Sequence, residues 1–428
     1  MAKSITQITE NDKQISASIK RFFTKFHISS ALKASNAYKK KGIPVIEIFQ
    51  YLFLLIFSNR SMYMNLITGR NTPNFAKDVV YRFMKMSQIN WIRFTTILSA
   101  RIINEAILPL NSDNRVNVLI IDDSTFERNR SKKVELLAKL YDHAKHKYSF
   151  GFRMLTLGWS DGSTFLPINS VLLSSKNKKN RINDAVEMDK RTIGYRRRKL
   201  AIEKGTQAML TLLDEAKKAA IPAKYVLFDS WFSSPSTLHA VKNMNYDVIA
   251  MIKKTPKMFF QYNGEAMSLT SIYNKNKKKR GRSRYLLSVV VEVVNDGKSI
   301  PAKVVYVRNR NKRKEYLCLI STDVNLDENE IIRIYGKRWD IEVFFKVCKS
   351  YLSLSRESKD ERSLGELFLH FSDEMSDITW IQAFQMLLQM FRTTLTDKTE
   401  LSDEKITELV EMFIDALPNM LKTKLKAA

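Results

Sequence analysis

The sequence predicts an α/β core flanked on both sides by helical segments, and three observations carry that prediction. Two short apolar runs, Val116–Ile121 (VNVLII) and Lys224–Phe228 (KYVLF), each stop at aspartate, Asp122-Asp123 in one case and Asp229 in the other. That is the profile of buried strands delivering carboxylates at their ends. Helical composition over Lys199–Ala220 and Pro235–Asn245 alternates with these runs, as an α/β layer requires. Before Asn111 and again after Asp327 the apolar spacing is helical.

Charge narrows the function before any motif does. The chain has 428 residues, with 71 Lys and Arg against 44 Asp and Glu, a formal net charge of +27. At 44% hydrophobic and 11% aromatic residues it is too apolar to be a disordered basic tail. Such a charge costs self-repulsion in a compact state, and a polyanionic partner is its usual reason. The longest near-continuous apolar run, Tyr51–Phe57, is far short of the roughly 20 residues that cross a bilayer. Met1–Glu10 has no apolar signal-peptide core. Cys318 and Cys348 are too few for a disulfide framework or a cysteine-built zinc site. A reducing, cytoplasmic compartment is expected, with no membrane partner.

Along the chain, residues 1–112 read as a helical DNA-binding domain carrying 16 Lys and Arg against 5 Asp and Glu. Residues 113–252 form the first part of the core. After the Val116–Ile121 strand come strands over Phe150–Trp159 and Ser163–Leu173, joined at Ser160-Asp161-Gly162, and a later strand over Tyr246–Ile252. Residues 253–324 read as an inserted all-β subdomain, with β-rich runs at Tyr285–Val294, Lys303–Val307 and Tyr316–Ile320. Residues 325–375 return to the core, and 376–428 are helical. There the stripe Trp380, Phe384, Leu387, Leu388, Phe391 suits a core face or a subunit interface.

One helix carries the sharpest pattern. Asp327 and Glu330 give it a capping box. On a wheel of about 100° per residue from Tyr335, Arg338 falls near roughly −60°, Glu342 near roughly −20° and Lys349 near roughly −40°. One carboxylate thus shares a stripe with a phenol and two cations. Ile334, Ile341, Phe344, Val347 and Cys348 lie on the other side and seat the helix.

The spacing Tyr335-x2-Arg338-x3-Glu342-x6-Lys349, preceded by Asp122-Asp123-Ser124-Thr125 after one strand and Asp229 after another, resembles bacterial insertion-sequence transposases of the IS-four group. Their signature is a DDE triad embedded in a Y-R-E-K helix, and Arg338-Trp339 and Ile341-Glu342 follow the same local pattern. The resemblance covers about Val116 to Ser350. It implies a ribonuclease-H-like core interrupted by a β-rich insertion, in keeping with the separation of 113 residues from Asp229 to Glu342. It further implies that Asp123, Asp229 and Glu342 hold two Mg²⁺ ions, for which Mn²⁺ substitutes. Asp123 is preferred to Asp122 because the family places Ser or Thr directly after the catalytic aspartate; strand alternation allows only one of the two to face the metals, and Asp122 remains the alternative.

By the same resemblance Tyr335, Arg338 and Lys349 grip phosphates near the cleaved transposon end. The basic loops add Lys277, Lys278, Lys279, Arg280, Arg308 and Arg310 as DNA contacts. The expected function is a cut-and-paste transposase that binds inverted-repeat ends of double-stranded DNA, cleaves them and joins 3′-hydroxyls to a target, as a homodimer in a synaptic complex. The alternatives are a nuclease of the same fold without strand transfer, and a transposase-derived DNA-binding regulator. Family members that make hairpin ends stack a flipped base on an aromatic, often a tryptophan of the insertion; here that region has none. His143 and His146 are three apart but lack further ligands, so they read as surface residues.

Overall fold

β-Branched and aromatic residues dominate the runs between residues 118 and 321, and in the computed structural model those runs pair into one sheet of eleven strands. The structure describes residues 16–58, 62, 73–112, 115–142, 146–309, 312, 315–351 and 390. The strands are β1 (Val118–Glu127), β2 (Ala138–Asp142), β3 (Lys147–Ser160), β4 (Phe165–Leu173), β5 (Tyr225–Phe228), β6 (Asp247–Ile252), β7 (Phe260–Tyr262), β8 (Glu265–Met267), β9 (Tyr285–Asn295), β10 (Lys298–Arg308) and β11 (Tyr316–Ser321). Their order is β2-β3-β1-β5-β6-β11-β10-β9-β7-β8, with β4 also paired to β3.

Strand directions explain where a site can form. β1 is antiparallel to β3 along its whole length, from Val118↔Ser160 to Glu127↔Gly151. It is parallel to β5 only over Val118↔Tyr225 to Ile120↔Leu227, and β5 is parallel to β6. Beyond Phe228 the neighbouring strand is gone while β1 continues, which opens a crevice at the carboxyl end of β5. In α/β sheets ligands collect in such crevices.

Four differences from the sequence reading stand out. β1 does not stop at its aspartates but runs on to Glu127, because β3 keeps supplying partners on its other edge. The segment 199–220 is two helices, Ile193–Ala201 capped by Thr192 and Gly205–Lys218. The segment 253–324 is not all-β: Leu269–Lys275 is a helix capped by Ser268. Its strands also extend the core sheet, since β11 pairs with β6 from Cys318↔Ile252 to Ser321↔Ile249. The helix after Asp327 is two helices, α10 (Glu328–Gly336) and α11 (Trp339–Tyr351), earlier helices being numbered α1 (residues 16–25), α2 (Ile28–Ala34), α3 (Val45–Ser58), α4 (Lys77–Met84), α5 (Trp91–Ile102), α6 (Ile193–Ala201), α7 (Gly205–Lys218), α8 (Pro235–Asn243) and α9 (Leu269–Lys275).

The N-terminal helices close over an aromatic core. Phe49 packs edge-on against Phe94 with ring centroids 5.4 Å apart, beside Phe23, Phe53, Phe83 and Trp91. α5 also lies on the sheet: Ser99 Oγ donates to the Pro167 carbonyl at 2.9 Å, and Asn169 Nδ2 donates to Thr96 Oγ1 at 2.9 Å. These buried polar bonds fix where the helix sits on β4. No described helix is long and apolar enough to cross a membrane. The Trp380–Phe391 stripe, His143 and Arg310 lie outside the described residues.

Candidate active site

Strand alternation sends neighbouring aspartates to opposite faces, and β1 does this with Asp122 and Asp123. Asp122 Oδ2 accepts a hydrogen bond from Arg338 Nη1 at 3.0 Å, and its Oδ1 accepts from the Asp123 amide at 2.8 Å. Arg338 reaches with its other arm to Glu342 Oε1. Asp229 follows β5 two residues past the last β1–β5 pairing, level with Asp122, and its Oδ1 accepts from the Trp231 amide at 2.8 Å. Asp122 and Glu342 therefore meet on one guanidinium, with Asp229 near enough to Asp122 to act on its charge.

Asp123 is elsewhere. Its carboxylate is held by Arg153 of β3, with Nη2–Oδ1 at 2.9 Å and Nε–Oδ2 at 2.5 Å. Of the adjacent pair, the structure brings Asp122, and not Asp123, to Glu342. The physical reason is alternation along β1: Asp122 lies on the face that meets Arg338, and Asp123 on the one that meets Arg153.

Burial is the main influence on this cluster. It pushes the Asp122 carboxyl up to about 6, with the nearby Asp229 and Asp123 charges adding and Arg338 opposing. Burial likewise pushes the Tyr335 hydroxyl up to about 12, Arg338 again pulling down and Asp229 and Asp122 pushing up. The Tyr335 oxygen is buried beside Arg338, with no acceptor for its own proton among the described residues. Lys349 is exposed on α11, farther along the helix from Glu342.

The break between α10 and α11 is built by contacts the sequence reading passed over. Lys337 Nζ donates to the Val116 carbonyl at 2.6 Å and to the Asp161 carbonyl at 2.8 Å. Ser160 Oγ donates to Asp340 Oδ2 at 2.6 Å. Gly162, with φ +98, leaves room for this lysine, since a Cβ there would lie 2.9 Å from Lys337 Cε. These bonds dock the helix joint on the β3–β4 turn, so that Arg338 and Glu342 reach β1. A signal was available: Lys337 stands roughly 200° from Tyr335, on the apolar side of the wheel with Phe344. Lys337→Met should lower the unfolding free energy by about 2 kcal/mol, read as a reduced urea midpoint with an unchanged m-value.

The basic loops lie at the same end of the sheet. β11 and β9 begin, and β10 ends, at the sheet edge where β6 finishes, because Arg308 pairs with Tyr316 and Cys318 with Ile252. Lys277 and Arg280 are exposed there. Lys278 Nζ lies 4.7 Å from the Tyr273 ring, and Lys279 bonds the Tyr285 hydroxyl. Arg308 is spent differently: its Nε donates to the Ser283 carbonyl and its Nη2 to the Gly281 carbonyl, both at 3.0 Å, so it holds the 277–284 loop in shape. Of the aromatics after Asp229, Phe232 is buried, whereas Trp231 is 55% exposed, with Arg153 and Lys253 5.3 and 4.8 Å from its ring.

Comparison with known families decides the class. The family model described as DDE superfamily endonuclease matches residues 53–310, more than half of the chain. The chain belongs to this family of DDE endonucleases. The match includes the β1 aspartates and Asp229 and ends before α11. No curated protein matches the chain. As a DDE endonuclease the protein has nuclease- or transposase-type function and acts on DNA. Its mixed α/β sheet is consistent with that fold class.

Proposed function

We propose that this DDE endonuclease is a transposase of the IS-four group that binds the inverted-repeat ends of an insertion sequence, cleaves them and transfers the 3′-hydroxyl ends to target DNA. The observation that carries this reading is the junction of Asp122 and Glu342 on Arg338, with Asp229 beside them. The β4-β3-β1-β5-β6 portion of the sheet, antiparallel on one side of β1 and parallel on the other, is the arrangement read as ribonuclease-H-like.

The donor chemistry fits hard divalent cations such as Mg²⁺, which take carboxylate oxygens. Among the described residues no three acidic, His or Cys side chains already close into a cage, and the guanidinium spanning Asp122 and Glu342 accounts for that spacing. Asp122, Asp229 and Glu342 would hold the metal. When bound, Mg²⁺ supplies activation of the attacking hydroxyl and charge stabilisation for in-line displacement at phosphorus. This reading moves the first ligand from Asp123 to Asp122.

The remaining residues bind and orient. The Tyr335 hydroxyl is a buried donor without an acceptor, which a phosphate oxygen satisfies. Arg338, once its carboxylates are neutralised, presents a two-armed fork to a phosphate. Lys349, Lys277, Lys278, Lys279 and Arg280 add sequence-independent attraction to the DNA backbone, and Arg308 shapes their loop. Arg310 is retained as a DNA contact on its sequence position alone. Synapsis of two ends calls for a homodimer.

The test is direct. Purified protein, Mg²⁺ and a supercoiled plasmid carrying the flanking element ends should yield both excised ends and joined products. Cleavage with no joined product would leave the nuclease without strand transfer as the better reading.

A further inference from the structure

The β2–β3 hairpin carries three large exposed aromatics on one face, with Ala138 and Leu140 buried on the other. Tyr148 is 64% exposed, Tyr141 41% and Phe150 38%. The strand register sets them side by side: Tyr141 pairs with Tyr148, and Lys139 pairs with Phe150. The two tyrosine rings meet edge-on with centroids 5.1 Å apart, and Lys139 Nζ lies 4.4 Å from the Tyr148 ring. The exposed positions of both strands are Lys139, Tyr141, Lys147, Tyr148 and Phe150, with no carboxylate among them. Asp142 on the same hairpin is buried.

The strip shares a face with the candidate site. Tyr148 and Phe150 alternate in step with Thr156, and Thr156 is the β3 partner of Asp122. At about 3.4 Å per residue, Phe150 lies roughly 20 Å and Tyr148 roughly 27 Å along β3 from the level of Asp122. Between the two levels the same face of β3 carries Phe152 and Met154, both buried, so the exposed strip stands at the far end of the strand from the acid cluster.

Exposed rings on a basic surface need an occupant with flat faces and negative charge. A duplex offers the charge but hides its base faces; a single strand offers both, and base–aromatic stacking tolerates any sequence. A second copy of this chain, placed face to face on the strip, would bring Lys139 against the same lysine with no carboxylate on that face to pair it. We propose that the β2–β3 hairpin is a stacking platform for single-stranded DNA, holding a strand that separates from the duplex at a distance from the acid cluster. This rests on the DNA-cleaving reading of the acid cluster.

The test uses the full-length protein without divalent metal and fluorescence anisotropy with two probes, a labelled oligothymidylate of about 20 nucleotides and a duplex of the same length. Combined Tyr141→Ala, Tyr148→Ala and Phe150→Ala should weaken single-strand binding about tenfold or more, with duplex binding within about twofold. Tyr148→Phe keeps a ring and should bind both probes as the native protein does, which separates stacking from damage to the hairpin. Native single-strand affinity in the triple variant overturns the platform alone. Equal loss of both probes also overturns it, in favour of a general electrostatic surface. So does a native dimer that becomes monomeric in the variant, by sedimentation velocity, with single-strand binding intact. A native protein that binds neither probe overturns the DNA-cleaving reading as well.

Discussion

Asp122→Asn is expected to abolish strand cleavage, by about 10³-fold or more, whereas Asp123→Asn retains cleavage within about fivefold. The difference follows from their partners. Asp122 lies near Asp229 and shares Arg338 with Glu342, so removing its charge removes a proposed metal ligand. Asp123 faces Arg153, whose side chain is 37% exposed, and a pair of that exposure contributes about 1 kcal/mol or less. The same substitution should have a second signature in metal-free protein. The Asp122 carboxyl lies at about 6 against an ordinary 3.8, so the folded chain holds its proton more tightly than the unfolded chain does. That contribution is full below about pH 4 and is lost as pH rises through 6; at pH 7 the buried charge costs up to ~3 kcal/mol. Asparagine carries no such charge. Asp122→Asn should therefore melt above the native protein at pH 7, and the gap should narrow toward pH 4. Intact cleavage in Asp122→Asn, or its loss in Asp123→Asn, would return the role to Asp123.

The strand ends show what was legible from residue order and what was not. β3, β4, β5 and β6 lie within a few residues of their predicted spans, because apolar β-branched runs bounded by turns leave little alternative. Half of the capping box stands as read: Asp327 Oδ1 accepts from the Asn329 amide at 2.8 Å, whereas Glu330 turns to Arg333, Oε2 to Nη2 at 2.7 Å, rather than back to the cap. Choosing between Asp122 and Asp123 required knowing which face of β1 meets Arg338, a long-range contact that local pattern does not encode. β2 escaped notice because its outward positions, Lys139 and Tyr141, leave only alternate apolar residues in a five-residue strand. The split of α10 from α11 was invisible to a helical wheel, because its cause is tertiary: Lys337 leaves the helix pattern to bond carbonyls of Val116 and Asp161. The Y-R-E-K stripe drawn on a continuous helix nevertheless led to the right neighbours, since Arg338 and Glu342 remain four residues apart and still bond across the start of α11. The insertion was recognised by its strands, but only pairing of β11 with β6 shows that it prolongs the core sheet.

Glu342→Gln is expected to lose cleavage by about 10³-fold or more while binding DNA ends within about threefold of the native protein. Glutamine has nearly the same shape, and its Oε1 can still accept from Arg338, so the joint before α11 keeps its contact. The helix itself is seated by Ile341, Phe344, Phe345 and Cys348, all buried and none altered. What disappears is the negative charge, and with it both the proposed hard-cation ligand and the electrostatic hold on one arm of Arg338. Arg338→Lys probes the other half of the junction. An ammonium is a point donor that cannot span Asp122 and Glu342 as the two-armed guanidinium does, so cleavage should fall about tenfold to a hundredfold with the fold intact by circular dichroism. A regulator descended from such an enzyme would behave otherwise, its biological activity unchanged in Glu342→Gln because only DNA binding matters to it. Measuring gel-shift affinity and product formation on the same Glu342→Gln preparation therefore separates the two: binding with no cleavage upholds the enzyme, and full activity without the carboxylate discards it.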